Sequence, residues 1–186
     1  LILNSLLVLI PKKSNKKFKK SFDSISVLLS RYFAGLILQI FILFIIYTIL
    51  LLIIGTPNAI VIAFLCSLLN LIPFIGPFIG GILMILLTMS SHITQDFSTV
   101  ILAKAIYVAI GFGIGQLIDN FFSQPFIFSN SVKSHPLEIF IVIISGGLLF
   151  GAVGMIAAVP TYTALKVIGK EFLSENRIIK ELTKNL

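Results

Sequence analysis

Charge is what this sequence has least of. Only 11% of its 186 residues are Asp, Glu, Lys or Arg, against 58% hydrophobic, and its mean hydropathy is +1.11. A soluble domain carries about 25% charged and about 45–50% apolar residues. There is too little polar material here to cover a water-facing surface, which excludes an ordinary soluble enzyme or binding module. Disorder is excluded too, because it needs low hydrophobicity and high net charge. Cysteine is nearly absent: Cys66 stands alone in an apolar run and is expected to be a small buried hydrophobe. His92 and His135 have no second ligand at metal spacing and no nucleophile beside them. Gly111-Phe112-Gly113-Ile114-Gly115 follows no strand, so it is not a phosphate loop, and there is no Walker motif. The expectation is a polytopic, all-α membrane protein that is not an enzyme and has no cofactor and no metal.

The charge that is present is concentrated. The net +7 includes Lys12, Lys13, Lys16, Lys17, Lys19 and Lys20, while no charged residue lies between Arg31 and Asp96. A basic run can bind nucleic acid, but one that borders a long apolar stretch is better read through the positive-inside rule. The expected partner is therefore the lipid bilayer, with the lysines on the cytoplasmic side, and no nucleic acid. Leu1 to Ile10 is too short to cross a core that takes about 20 helical residues, so it reads as the end of a truncated transmembrane helix. Residues 11–32 read as a basic cytoplasmic interfacial helix, with Phe18, Phe22, Ile25, Leu28, Leu29 and Tyr32 at spacings of three and four.

Residues 33–168 read as the transmembrane core. Phe33 to Ile54 is 22 residues without a charge, about 33 Å of helix and enough to span. The stretch from Pro57 to Met89 is interrupted by Leu71-Ile72-Pro73-Phe74-Ile75-Gly76-Pro77. The pieces on either side, Asn58–Ile72 and Phe78–Met89, are too short to cross, so a re-entrant hairpin is expected. Ser90 to Ser98 is polar, and Val100 to Ile118 is a second full span. Leu137 to Ile168 is again broken, at Ser145 to Gly154. Residues 33–89 and 98–168 thus alternate span and broken hairpin, as two units of opposite topology do in many secondary transporters. Residues 169–186 read as a cytoplasmic tail; Lys166, Lys170, Arg177, Lys180 and Lys184 support that side.

Backbone freed by a break at membrane depth is buried in protein or lines a watery cavity. Asn70, Pro73, Gly76 and Pro77 at the first break, and Gly146, Gly147 and Gly151 at the second, are therefore candidate pathway residues. The pairs Gly76/Gly80, Gly111/Gly115 and Gly147/Gly151 also have the small-xxx-small spacing of close helix packing, which is the preferred reading for Gly111 and Gly115. Polar residues deep in apolar runs are few: Gln39, Asn70, Lys104, Gln116, Asp119 and Asn120. Gln116, Asp119 and Asn120 share one helix face by their i, i+3, i+4 spacing. They either coordinate a cation or carry a proton, or else cap the helix at the interface. Lys104 lies near enough to the start of its span to snorkel and reads as structural.

Several of these segments have a familiar order. Arg31-Tyr32-Phe33-Ala34-Gly35, Gly55-Thr56-Pro57, the box from Asn70 to Pro77, Gln116 with Asp119-Asn120, Gln124-Pro125, His135-Pro136 and Gly146-Gly147 through Gly151, Gly154 and Pro160 resemble the autoinducer-2 exporter family of bacterial permeases. The resemblance covers Ser26 to Ile168. It implies the C-terminal half of a longer, multi-pass protein of the bacterial cytoplasmic membrane. It also implies a permease that moves a small-molecule or cation substrate, with sodium or a proton as the coupling ion; a homo-oligomer is expected as well. One departure stands out: Asn130-Ser131-Val132-Lys133-Ser134 replaces the glycine-containing turn of the family before His-Pro. A sodium/proton antiporter of the same family and a non-transporting oligomeric scaffold are the alternatives.

Overall fold

The computed structural model describes residues 15–123 and 135–172. The stub at 1–10, Lys12 and Lys13, Gln124-Pro125, Asn130–Ser134 and the tail beyond Phe172 lie outside the described residues. Every regular element among the described residues is helical: α1 (Asn15–Ile54), α2 (Ala59–Leu69), α3 (Ile75–Ser90), α4 (Leu102–Ile118) and α5 (Pro136–Phe172). Single π-turns extend α4 at both ends, Phe97–Ile101 and Asp119–Ser123. By length and composition alone, Lys17–Ile54 and Phe97–Phe122 can each cross a membrane, and Leu137–Phe172 is as apolar but is interrupted at Gly151. The interfacial helix and the first span expected as separate pieces are one helix here. No proline stands between Lys12 and Thr56 to stop it, and a single Gly35 does not. Two compact units divide the chain, one drawn from Ala34–Ser129 and the other from the residues before and after it.

The unit within Ala34–Ser129 is built on one stripe of α1. Leu36, Gln39, Leu43, Tyr47 and Leu51 recur at three and four and are all buried. Leu43, Tyr47 and Leu51 pack with Ala59, Ile62, Ala63 and Cys66 of α2, Met84 of α3 and Val108 of α4. The Tyr47 ring stacks on Phe112 with centroids 5.2 Å apart. The opposite stripe of α1 (Ile37, Phe41, Ile45, Ile49, Ile53) is exposed, as is natural for a helix whose outer face meets lipid rather than water. Lipid is as apolar as leucine, so close packing rather than the hydrophobic effect holds such helices together. Small residues supply it. A Cβ on Gly111 would run into Leu50, and one on Gly115 would lie 3.2 Å from the Tyr47 ring.

In this unit α2 and α3 form the first hairpin. The carbonyls that end α2 are satisfied by tightened turns, Asn70 N to Ser67 O at 3.1 Å, and Leu71 N to Leu68 O and Ile72 N to Leu69 O at 3.0 Å. The reversal is a γ-turn: Ile75 N donates to Pro73 O at 2.8 Å around Phe74, whose φ is 65° and ψ −48°. Helix α3 starts at Ile75, three residues before the Phe78 expected from the prolines. Pro77 falls in its first turn, where a missing N–H costs nothing. Gly76 lies so close to the Leu69 carbonyl that no side chain fits, and Gly80 rests on the Cys66 carbonyl.

In the other unit, α5 is the second hairpin. Glu138 and Lys166 are 28 residues apart, about 42 Å along a straight helix, yet Lys166 Nζ lies 3.1 Å from Glu138 Oε2. The chain therefore doubles back, and it does so at Gly151, whose φ of 62° and ψ of −147° belong to a region that only glycine enters freely. Gly146 and Gly154 face each other so closely that a Cβ on either would strike the carbonyl of the other.

Candidate functional site

The deep polar residues of the Ala34–Ser129 unit are brought together by three elements. Helix α1 contributes Gln39 and Tyr47, the end of α2 contributes Asn70, and the end of α4 contributes Gln116 and Asp119. Gln39 Nε2 donates to Asp119 Oδ2 at 2.7 Å, both residues being buried. Gln116 Nε2 donates to Tyr47 Oη at 2.6 Å and to Asn70 Oδ1 at 3.0 Å. Asn70 Nδ2 donates in turn to Cys66 O at 3.0 Å, which fixes the amide at the tip of the first hairpin. An acid, three amides and a phenol thus meet inside an apolar shell, with Gln39 and Gln116 presenting Nε2 to the oxygens of Asp119, Tyr47 and Asn70. That donor set suits a hard cation, a proton or a hydroxylated solute. Asp119 opens a π-turn, a feature frequent at functional sites.

The candidates read from the sequence divide accordingly. Asn70, Gln116 and Asp119 meet in this cluster, whereas Asn120 is exposed. The buried stripe of α4 runs through Ile101, Ala105, Val108, Gly115 and Asp119, and the next residue is turned about 100° away from it. Pro73, Gly76 and Pro77 shape the hairpin tip next to Asn70. Gly146, Gly147 and Gly151 fall in the other unit and serve its chain reversal; a Cβ on Gly147 would overlap Met155. Gln39 was legible as a deep polar residue, but its partnership with Asp119, 80 residues away, was not. Tyr47 was missed; its signal was a hydroxyl eight residues, about two turns, beyond Gln39 in the charge-free run.

A second polar group caps α1. Lys104 Nζ donates to Ile54 O at 2.9 Å and reaches Gly55 O at 3.4 Å, placing a cation at carbonyls that end a helix. Its structural reading therefore holds, through capping rather than snorkelling. The same Nζ lies 2.9 Å from His92 Nε2, and His92 Nδ1 lies 2.9 Å from Thr88 O. Since a carbonyl only accepts, Nδ1 carries the proton and Nε2 accepts from the lysine. Asp96, at the start of the first π-turn, accepts from Thr99 N at 2.8 Å and Thr99 Oγ1 at 2.7 Å. The Thr99 backbone N–H, followed by the hydroxyl, holds its carboxyl below the usual carboxylate range.

The other unit has its own polar center. Glu138 Oε2 accepts from Tyr162 Oη at 2.8 Å and pairs with Lys166 Nζ at 3.1 Å. The Lys166 side chain is only 4% exposed. It is therefore not one of the solvated charges of a tail, as its place in the sequence suggested, but part of the hairpin. The hairpin reversal brings a carboxylate beside it, and a buried ammonium needs such a partner. Among the described residues no group of three or more His, Cys, Asp or Glu side chains could hold a metal ion.

Comparison with known proteins bears on these features. The model of the family described as "AI-2E family transporter" matches residues 2–174. Over 165 residues the chain is 32% identical to "Putative transport protein YrrI" of Bacillus subtilis, covering 89% of this chain and 44% of that protein. Over 176 residues it is 30% identical to "Putative transport protein YueF" of the same organism, covering 92% of this chain and 43% of that protein. The chain thus spans less than half the length of these curated relatives. No solved structure matches it. With an apolar exterior, interrupted helices and a family match along nearly its whole length, this chain belongs to the AI-2E transporter family.

Proposed function

We propose that the chain carries the translocation site of a secondary transporter of the bacterial cytoplasmic membrane. In this reading a small polar solute passes at the cluster of Gln39, Tyr47, Asn70, Gln116 and Asp119. The observation that carries the proposal is the complete burial of Asp119, bonded to Gln39 inside an apolar shell. An ionisable group at membrane depth costs about 2.5–3.5 kcal/mol on insertion scales and marks a pathway or relay by default. Asp119 is the residue that takes up the coupling sodium ion or proton, and the amides of Asn70 and Gln116 meet the solute. Because Asn70 belongs to the tip of the first hairpin and Gln116 to α4, movement of the hairpin breaks their 3.0 Å bond and opens the site. Autoinducer-2, a small oxygen-rich furanone, is the cargo that the family resemblance suggests, and its hydroxyls match these donors and acceptors.

Flux through proteoliposomes holding the full-length protein tests this, with autoinducer-2 and radioactive sodium as separate cargoes. Asp119→Asn keeps the shape but removes the charge, and is expected to slow coupled flux about tenfold or more, the scale of one hydrogen bond to a charged group. Asn120→Ala, at an exposed position, is expected to leave it unchanged. Equal flux in the wild type and Asp119→Asn would exclude this site, and no flux of either cargo would favour the scaffold alternative.

A further inference from the structure

Outside the polar cluster, one groove has the chemistry of a binding site. It lies in the unit that contains the front of α1 and the end of α5, has a volume of about 440 Å³, and its walls include Lys20, Arg31 and Lys170. On α1 its lining residues Lys20, Ser24, Val27 and Arg31 are spaced by four, three and four, so they form one face about 16 Å long. Its floor is apolar, formed by Val27, Leu28 and Val167. Two acids share the groove: Glu171 is engaged by Lys20 at 2.7 Å, and Asp23 lies on the α1 wall. Three cations against two anions leave it positive by one charge.

Its setting identifies the ligand. Arg31 is the last charged residue before the charge-free run that begins at Tyr32 and ends before Asp96. It therefore stands at the level where hydrocarbon gives way to headgroups. Ser21 and Leu28, buried between the two helices, mark their contact line. On the other flank of that line is a groove of about 300 Å³ lined by Phe18, Phe22, Ile25, Ile168 and Phe172, an apolar surface suited to acyl chains. A cationic slot with an apolar floor, beside an apolar groove at the membrane boundary, matches an amphiphile with a singly charged anionic head. We propose that this groove binds the phosphodiester headgroup of an anionic phospholipid, with the phosphate between Arg31 and Lys170 and the glycerol over Val27 and Val167. The proposal is independent of the translocation site, since it uses none of those residues.

Native mass spectrometry of the full-length protein in detergent, titrated with phosphatidylglycerol, tests the proposal. Arg31→Gln is expected to weaken binding about fivefold, the contribution of one basic residue near an anionic lipid surface. Asp23→Asn removes a negative charge from the groove and is expected to tighten binding, an outcome that misfolding cannot imitate. Phosphatidylcholine with the same acyl chains is expected to bind more weakly than phosphatidylglycerol. Unchanged phosphatidylglycerol affinity in both variants would overturn the proposal, as would equal binding of the two lipids. Displacement of the lipid by inorganic phosphate would also overturn it, by making this a site for free phosphate.

Discussion

The two hairpins reverse the chain by opposite means. The first, α2 to α3, turns on a proline and a bulky residue forced to positive φ, and its tip holds Asn70 against Gln116 of α4. The second, within α5, turns on Gly151, and its polar contacts lie at the far end from the turn, where Glu138 meets Tyr162 and Lys166. A glycine reversal needs no strain because glycine enters positive φ freely. A phenylalanine at φ 65° does cost energy, and strained backbone of this kind concentrates at sites that move or bind. The contrast assigns different tasks. The first hairpin carries its chemistry at the tip, whereas the second is a closed clasp whose chemistry holds its arms together.

The clasp provides the largest test of that contrast. Glu138→Leu removes the carboxylate from a Lys166 side chain that is 4% exposed. Breaking a buried pair costs about 3–5 kcal/mol, and the lower end applies because the Glu138 side chain is 29% exposed. Thermal unfolding of the full-length protein in detergent is expected to show a loss of about 3 kcal/mol. A loss below about 1 kcal/mol, the scale of a surface pair, would mean that the arms are held by packing alone. Gly154→Ala comes next. Its added methyl would strike the Gly146 carbonyl, which belongs to backbone and cannot rotate away. Overpacking of this kind costs about 1–3 kcal/mol, and the same assay is expected to place it near 2 kcal/mol.

At the tip of the first hairpin the expected effects on stability are smaller and the effects on transport larger. Gln116→Leu removes the donor that bonds both Tyr47 and Asn70. Leaving buried polar groups unsatisfied costs about 1–3 kcal/mol. Since Tyr47 and Asn70 keep other neighbours, a loss of about 1 kcal/mol is expected, together with a clear fall in flux. If Gln116→Leu were as destabilising as Glu138→Leu, the tip would be a structural lock and the division of tasks between the hairpins would fail.

Much of this was legible in the sequence. Both breaks, at Pro73–Pro77 and within Ser145–Gly154, came from residues with strong local backbone preferences, and local preferences are readable without tertiary information. The long spans came from the absence of charge. Pairings across long separations were not legible: Gln39 with Asp119 spans 80 residues, Gln116 with Tyr47 spans 69, and Lys166 with Glu138 spans 28. Helical periodicity ranks faces within one helix but cannot say which face of another helix it meets. That limit explains why Lys166 was counted with the tail, whereas Asn120, grouped with Gln116 and Asp119 by spacing, is exposed because it is turned about 100° from the buried stripe that ends at Asp119.

The smallest expected effect sharpens the comparison most, because it changes sign. Phe74 is 58% exposed, and its backbone occupies a conformation that a bulky residue adopts only at a cost. Phe74→Gly removes that cost, and although glycine also loses more entropy on folding, the balance favours the variant by about 1 kcal/mol when strain of about 1–3 kcal/mol is relieved. Unfolding of the full-length protein is expected to shift to a higher temperature, opposite to the other substitutions. If the strain serves hairpin movement, the more stable variant should also transport more slowly, because the closed tip is no longer held under tension. A variant that is both more stable and equally fast would show that the turn is strained for no purpose in transport. One that is less stable would mean that Phe74 holds the tip through its ring, and the two hairpins would then differ in composition but not in principle.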